Sequence, residues 1–103
     1  MEALQMLLAE NEIKGLKARY CRFLDTKDWS GLTSLFLEDA VLDVQQDTGN
    51  PPIHGRAAII EQIRVAVIDA ASSHQVHTPE ITLTGAQRAQ GIWAMQDRVV
   101  WQP

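Results

Sequence analysis

The carboxyl group of Asp97 is the feature of the sequence that points most clearly to chemistry. It alternates with Met95 and Val99 in a stretch whose apolar residues recur at every second position, so a strand there would turn Asp97 toward the apolar side of a sheet. Burial in such surroundings is costly for a carboxylate without hydrogen bonds. Burial also raises the pKa of a carboxyl group toward neutral pH, which suits the group to general acid or base catalysis. A shift in register would instead leave Asp97 in solvent.

His74 is the residue expected to face Asp97. The two lie equally far from the turn predicted at residues 84–87, so an antiparallel hairpin would pair them and place both side chains on one side of the sheet. A His–Asp pair can hold an imidazole in one tautomer. The spacing also fits a surface histidine at a strand end. Pro79, inside the same strand, predicts a bulge or an edge there.

Tyr20 and Asp25 are further candidates, near the C-terminal end of a predicted first helix. Tyr20 lies on the apolar face of that helix, whereas Lys17 is placed among the charged residues of the opposite face. A buried tyrosine hydroxyl needs a hydrogen-bond partner. Taken alone, the two residues fit equally simple structural roles, as a core tyrosine with a solvated hydroxyl and an aspartate in a turn.

The elements that must position these side chains follow from changes in hydrophobic period. Apolar residues at spacings of three and four predict helices, and alternation predicts strands. The predicted elements are helix 2–25, helix 29–36 with Asp28 as its N-cap, strand 40–46, turn 47–52, a third helix after Gly55, and a hairpin of strands 73–84 and 88–101. This order is an α+β pattern. A hairpin of this length is expected to curl around the helices as a half-open cone.

Length and composition limit the remaining possibilities. The 103 residues fit one domain, 1–103, and the formal net charge of −4 does not favour nucleic acid or an anionic membrane as a partner. No apolar run approaches the length of a membrane span. The single cysteine, Cys21, fits a cytoplasmic setting. His74 and His77 would diverge on a strand, so no metal site is expected.

Four segments together resemble a known family. They are 13–25, 28–40, 53–59 and 74–81, which read IKGLKARYCRFLD, DWSGLTSLFLEDA, IHGRAAI and HQVHTPEI. Each is degenerate alone, but their order and spacing resemble the SnoaL-like domain of the nuclear transport factor 2-like superfamily. The resemblance implies a cystatin-like α+β cone, with N-terminal helices packed against a curved antiparallel sheet around a pocket.

The resemblance also implies a chemistry. Similar proteins include dehydratases and steroid isomerases, and in the dehydratase branch Tyr20, Asp25, His74 and Asp97 match the residues that line the pocket. The expected activity is that of a cofactor-independent lyase or isomerase acting on a small hydrophobic cyclic substrate. His74, held by Asp97, would move a proton, Tyr20 would donate a hydrogen bond, and Asp25 would position either group.

Apolar side chains are expected to form the walls of that pocket. They are Phe36, Leu42, Trp93 and Met95. No metal or organic cofactor is expected. The alternative is a non-catalytic binding or assembly module with the same fold, since one fold serves many functions.

The last predicted strand leads to an expectation about assembly. Sheets of the resembled family continue for about two more strands, so the domain looks incomplete at its C-terminal end relative to the family. A long strand over 88–101 with one unpaired edge favours pairing with another chain. A homodimer through this C-terminal sheet is therefore expected.

Overall fold

The computed structural model describes residues 2–102 and consists of helices packed against antiparallel strands. The elements in chain order are α1 (Ala3–Asp25), α2 (Trp29–Ser34), β1 (Val41–Leu42), α3 (Gln45–Thr48), β2 (Ile53–His54), α4 (Arg56–Val67), β3 (Ala70–Gly85) and β4 (Arg88–Trp101). The predicted α+β class is confirmed. None of the helices in this part of the chain has the length and apolarity needed to cross a lipid bilayer.

The long hairpin of β3 and β4 has the predicted register. The strands are antiparallel, and His74 pairs directly with Asp97. The pairing is interrupted between His77 and Glu80, where Thr78 adopts a φ of 45° immediately before Pro79. Because proline has no N–H to donate to the ladder, a bulge forms at this point. Of the two alternatives predicted at Pro79, a bulge or an edge, the structure has the bulge.

The end of α1 is fixed against the start of β3. Lys27 adopts a left-handed φ of 57°, and the N–H groups of Lys27 and Asp28 donate to carbonyls of the last helical turn at 3.1 and 2.8 Å. This is the hydrogen-bonding pattern of a Schellman motif. The Nζ of Lys27 also donates to the backbone oxygen of Ala70. The motif and this bond together place the last residue of α1, Asp25, beside β3.

A small apolar core lies behind this junction. Its buried members are Leu24, Leu32, Ile60 and Val67. The helix α2 contributes Leu32, and it begins at Asp28, whose carboxylate accepts a hydrogen bond from the N–H of Gly31 at 2.9 Å. This N-cap was predicted and is confirmed. The core thus joins α1, α2 and α4, and it supports the helix end that carries Asp25.

The segment after α2 differs from its prediction. The strand expected at residues 40–46 contains only Val41 and Leu42, which pair with His54 and Ile53, and residues 45–48 form a helical turn. The physical reason lies in the partner strand. Extending the pairing would place Pro51 and Pro52 in the ladder, and proline cannot donate the hydrogen bonds that a longer strand needs. The helix predicted at 29–36 likewise ends earlier, at Ser34.

Candidate active site

The carboxylate of Asp25 forms the centre of a polar cluster between α1 and β3. Its Oδ1 lies 2.6 Å from Nδ1 of His74 and accepts a hydrogen bond from Oγ of Ser72 at 2.9 Å. Its Oδ2 accepts a hydrogen bond from the backbone N–H of His74 at 2.7 Å. Three donors from one strand thus converge on one carboxylate, and they fix the imidazole of His74 relative to α1.

The charge of Asp25 follows from these contacts. Burial by itself would raise the pKa of Asp25, but the hydrogen bonds from the backbone and ring of His74 and from Ser72, with the nearby charge of His74, outweigh it and hold the pKa below its usual value. An ionised carboxylate can only accept hydrogen bonds, so Nδ1 of His74 must be the donor. In a neutral imidazole, Nε2 then carries the free lone pair.

Asp97 faces the other nitrogen of the same ring. Its Oδ2 lies 3.8 Å from Nε2 of His74, beyond hydrogen-bond distance, and its side chain is 46% exposed, whereas that of His74 is 12% exposed. The sequence predicted that Asp97 would hold His74 and face an apolar interior. In the structure Asp25 holds the ring. Asp97 lies on the expected side of the sheet, but its side chain is more exposed to solvent than predicted. The reason is that α1 lies over β3 and leaves much of the inner face of β4 uncovered.

Tyr20 lies on α1 upstream of Asp25 and contacts Phe36, with the two rings edge to face and their centroids 6.2 Å apart. Burial raises the pKa of Tyr20, and the nearby Cys21 and Asp25 raise it further. The hydroxyl therefore stays protonated and remains a hydrogen-bond donor. Burial also raises the pKa of the Cys21 thiol, and the charge of Asp25 raises it further. Lys17 and a backbone hydrogen bond lower this pKa, but their effects are smaller in sum. A protonated thiol is a poor nucleophile.

Lys17 lies between two aromatic rings, those of Tyr20 and Trp93, on the side of the polar cluster nearer the bulge at Pro79. The Nζ of Lys17 lies 4.7 Å from the ring centroid of Tyr20 and 5.4 Å from that of Trp93. The indole of Trp93 lies over Gly91, where a Cβ atom would overlap it. The helical spacing predicts Lys17 on the charged outer face of α1. Instead it is half-buried on the inner side of the helix, because its long side chain can pack against aromatic rings while its ammonium group stays near water.

An open groove continues from Trp93 to the tip of the hairpin. It has a volume of about 1190 Å³ and runs between α1 and the strand ends, with Ile13, Leu16, Leu83 and Trp93 among its lining residues. The apolar side chains in its walls suit a hydrophobic molecule, and Glu12, Asp39 and Arg88 add charged groups to its lining. The His74–Asp25 cluster is not part of its lining and lies further along the inner face of the sheet.

The structure brings some of the expected site residues together and separates others. Asp25, His74 and Asp97 meet at one point, and Tyr20 lies on the same helix beside Phe36. Of the expected apolar walls, Trp93 lines the groove, whereas Met95 is 60% exposed opposite Val76. Leu42 is half-buried in β1 and is not among the groove residues.

Two side chains that contact the site residues are not among those predicted from the sequence. Ser72 donates the third hydrogen bond to Asp25, and its position two residues before His74 on the same strand face was the available signal. Lys17 precedes Tyr20 by three residues, a spacing that places two side chains next to each other on a helix. Within residues 2–102, no cluster of three or more His, Cys, Asp or Glu side chains could hold a metal ion.

Comparison with known proteins identifies the family of the chain. The model of the family described as "SnoaL-like domain" matches residues 5–103. A solved structure of a protein from Catenulispora acidiphila is similar, with a TM-score of 0.76 and 16% sequence identity, and the match covers 97% of this chain and 76% of that chain. At that identity the likeness shows a common fold.

Proposed function

The chain belongs to the SnoaL-like domain family, and we propose that it is a cofactor-independent lyase of the dehydratase type or an isomerase. The proposed substrate is a small hydrophobic cyclic molecule with a carbonyl group. The observation that carries the proposal is the hydrogen bond between Asp25 and Nδ1 of His74, because it leaves Nε2 as a base that faces the open inner side of the sheet.

The proposed reaction begins with removal of a proton from the carbon next to the carbonyl. Nε2 of His74 takes the proton, and Asp25 stabilises the resulting imidazolium. The electron pair moves onto the carbonyl oxygen, and the hydroxyl of Tyr20 donates a hydrogen bond to it. The electron pair then returns from the oxygen. In an isomerisation it bonds another carbon of the conjugated system to the proton that the imidazolium gives back. In a dehydration it forms a C=C bond while the C–O bond of a neighbouring hydroxyl group breaks, and the imidazolium protonates the departing hydroxyl. Asp97, close to Nε2, can relay that proton.

The second candidate function is a binding or assembly module without catalysis. It is favoured by the exposure of the inner face of β4, where Met95 is 60% exposed and the side chain of Asp97 is 46% exposed. A catalytic base works best where water is excluded, so this open face would need a further cover. The single cysteine, Cys21, is buried and supports a reducing, cytoplasmic setting for either function.

Exchange of substrate protons with solvent tests the catalytic proposal directly. Incubation of the protein with a panel of cyclic ketones in D₂O should lead to deuterium at the carbon next to the carbonyl, measured by proton NMR. His74→Gln should lower the exchange rate by about 10²–10⁴-fold, the usual contribution of a general base. His77→Gln is the matched control, since His77 is exposed on the other face of β3. Exchange that persists in His74→Gln would contradict the mechanism, and no exchange with any ketone would favour the binding module.

We also propose that the chain forms a homodimer through β4. In residues 2–102 this strand pairs only with β3, so its other edge presents unpaired N–H and C=O groups. Ile92 and Trp101 on this strand are 67% and 58% exposed. Analytical ultracentrifugation at micromolar concentration should show a dimer.

A charge on the edge strand should weaken this dimer, since lysine on an edge opposes strand pairing. Ile92→Lys should therefore raise the dissociation constant by at least about tenfold. Val65→Lys is the control, because Val65 is 60% exposed on α4 and is not part of the sheet. A wild-type monomer, or equal effects of the two variants, would rule out association through β4.

A further inference from the structure

Lys17 is a cation in the candidate site that the proposed mechanism does not use. Its Nζ lies within cation–π distance of two rings, 4.7 Å from the centroid of Tyr20 and 5.4 Å from that of Trp93. Lysine side chains on helices usually extend into water. Here the side chain is half-buried and its ammonium group is held at the inner side of α1.

No acidic side chain in the part of the chain that the structure describes forms an ion pair with the ammonium group of Lys17. The ion pairs formed within residues 2–102 involve Glu61 with Arg64, and His74 with Asp25 and Asp97. Contact with the faces of aromatic rings compensates a cation in part, and it leaves N–H donors free for an anionic oxygen.

The separation between Lys17 and His74 can be estimated along β4. Lys17 contacts Trp93, which is four residues from Asp97 on β4 and therefore about 13 Å from it at about 3.3 Å per residue. Asp97 in turn faces His74. The cation therefore lies about 13 Å from the base along the sheet, beside Trp93, where the groove begins.

We propose that Lys17 is a substrate-binding residue that pairs with an anionic oxygen group, such as a carboxylate, on the end of the cyclic substrate remote from His74. The inference rests on the proposed function and adds a substrate class to it, namely hydrophobic ring acids. Binding energy from a remote, non-reacting group can orient the reacting carbon at the base. Tyr20 and Trp93 hold the ammonium group in place, and the absence of a side chain on Gly91 leaves room for the indole ring.

Two probes that differ only in charge test this assignment. These are 2-naphthoate and its neutral counterpart 2-naphthamide, titrated calorimetrically into the full chain at neutral pH. The wild-type protein should bind the carboxylate at least about tenfold more tightly than the amide, since a charge-assisted contact is worth about that factor. Lys17→Gln should abolish this preference, whereas Lys17→Arg should retain it because arginine keeps the charge and also packs on aromatic rings.

The control variant is Lys14→Gln, which removes the same charge from an exposed position of α1. It should leave the preference unchanged, because exposed charges are screened by solvent and salt. Equal affinity of the wild-type protein for the two probes would overturn the role of Lys17 and leave the apolar pocket intact. Equal loss of preference in Lys14→Gln and Lys17→Gln would also overturn it. Failure of both probes to bind at millimolar concentration would overturn the pocket itself, and the inference with it.

Discussion

Replacement of Asp25 by asparagine is expected to reduce any turnover that depends on His74 by about 10²–10⁴-fold, the range found for loss of a general base or of the aspartate that orients one. The physical reason is the number of donors around this carboxylate. Ser72, the backbone N–H of His74 and Nδ1 of its ring all donate to Asp25. An asparagine offers one acceptor oxygen and an amide group that is itself a donor, so at least one donor must lose its partner and the ring is held less firmly.

The state of the His74 ring can be measured without a substrate. Nitrogen-15 NMR of the imidazole in its neutral form should show one tautomer in the wild-type protein, with the proton on Nδ1, and a mixture in Asp25→Asn. Asp97→Asn is the matched control, since Asp97 lies 3.8 Å from Nε2 and is not hydrogen-bonded to it. A ring that keeps its tautomer in Asp25→Asn would contradict the role assigned to Asp25, and a ring that also loses it in Asp97→Asn would show that the two carboxylates have the opposite roles.

The stability advantage of the wild-type protein over Asp25→Asn should be lost in acid. The pKa of Asp25 is lowered in the folded state, so the folded state favours the ionised form more than the unfolded state does. Its contribution to the free energy of unfolding is therefore complete above the ordinary carboxyl pKa, and it is lost as the pH falls through the lowered value. Unfolding followed by circular dichroism should show a wild-type advantage near neutral pH that shrinks below about pH 4. An advantage that is constant with pH would contradict this assignment of charge.

The part of the site that lies on the long hairpin could be predicted from the sequence. The pairing of His74 with Asp97 depends only on the position of the turn and on a strand period of two, and both are local properties of the chain. The bulge at Pro79 was predictable for a similar reason, since the missing N–H of proline acts at its own position. Local rules therefore placed both residues on one side of the sheet.

The partner of His74 could not be predicted in the same way. Asp25 is 49 residues away from it, and their contact depends on how the end of α1 lies against β3. That placement is fixed by the left-handed turn at Lys27 and by its bond to Ala70, neither of which has a sequence signal of its own. A carboxylate that alternates with apolar residues, as Asp97 does, indicates a side of the sheet but not how much of that side is covered.

The core behind the site should be the most sensitive part of the molecule to truncation. Leu32 has 0% of its surface exposed, and it packs in one cluster with Leu24, the neighbour of Asp25. Leu32→Ala should lower the free energy of unfolding by about 2–5 kcal/mol, because the lost burial and the resulting cavity both count against the folded state. This is a large share of the 5–15 kcal/mol that is typical of a whole domain.

Thermal unfolding followed by circular dichroism measures this effect, and the midpoint of Leu32→Ala should fall by at least about 10 °C. Leu37→Ala is the matched control, since Leu37 is 76% exposed and its truncation should change the free energy of unfolding by no more than about 0.5 kcal/mol. Equal shifts in the two variants would contradict the burial of Leu32. Because Leu24 would lose a packing partner, Leu32→Ala should also loosen the end of α1 below its unfolding midpoint. The single tautomer of the His74 ring should then be partly lost in this variant, although no residue that touches the ring has changed.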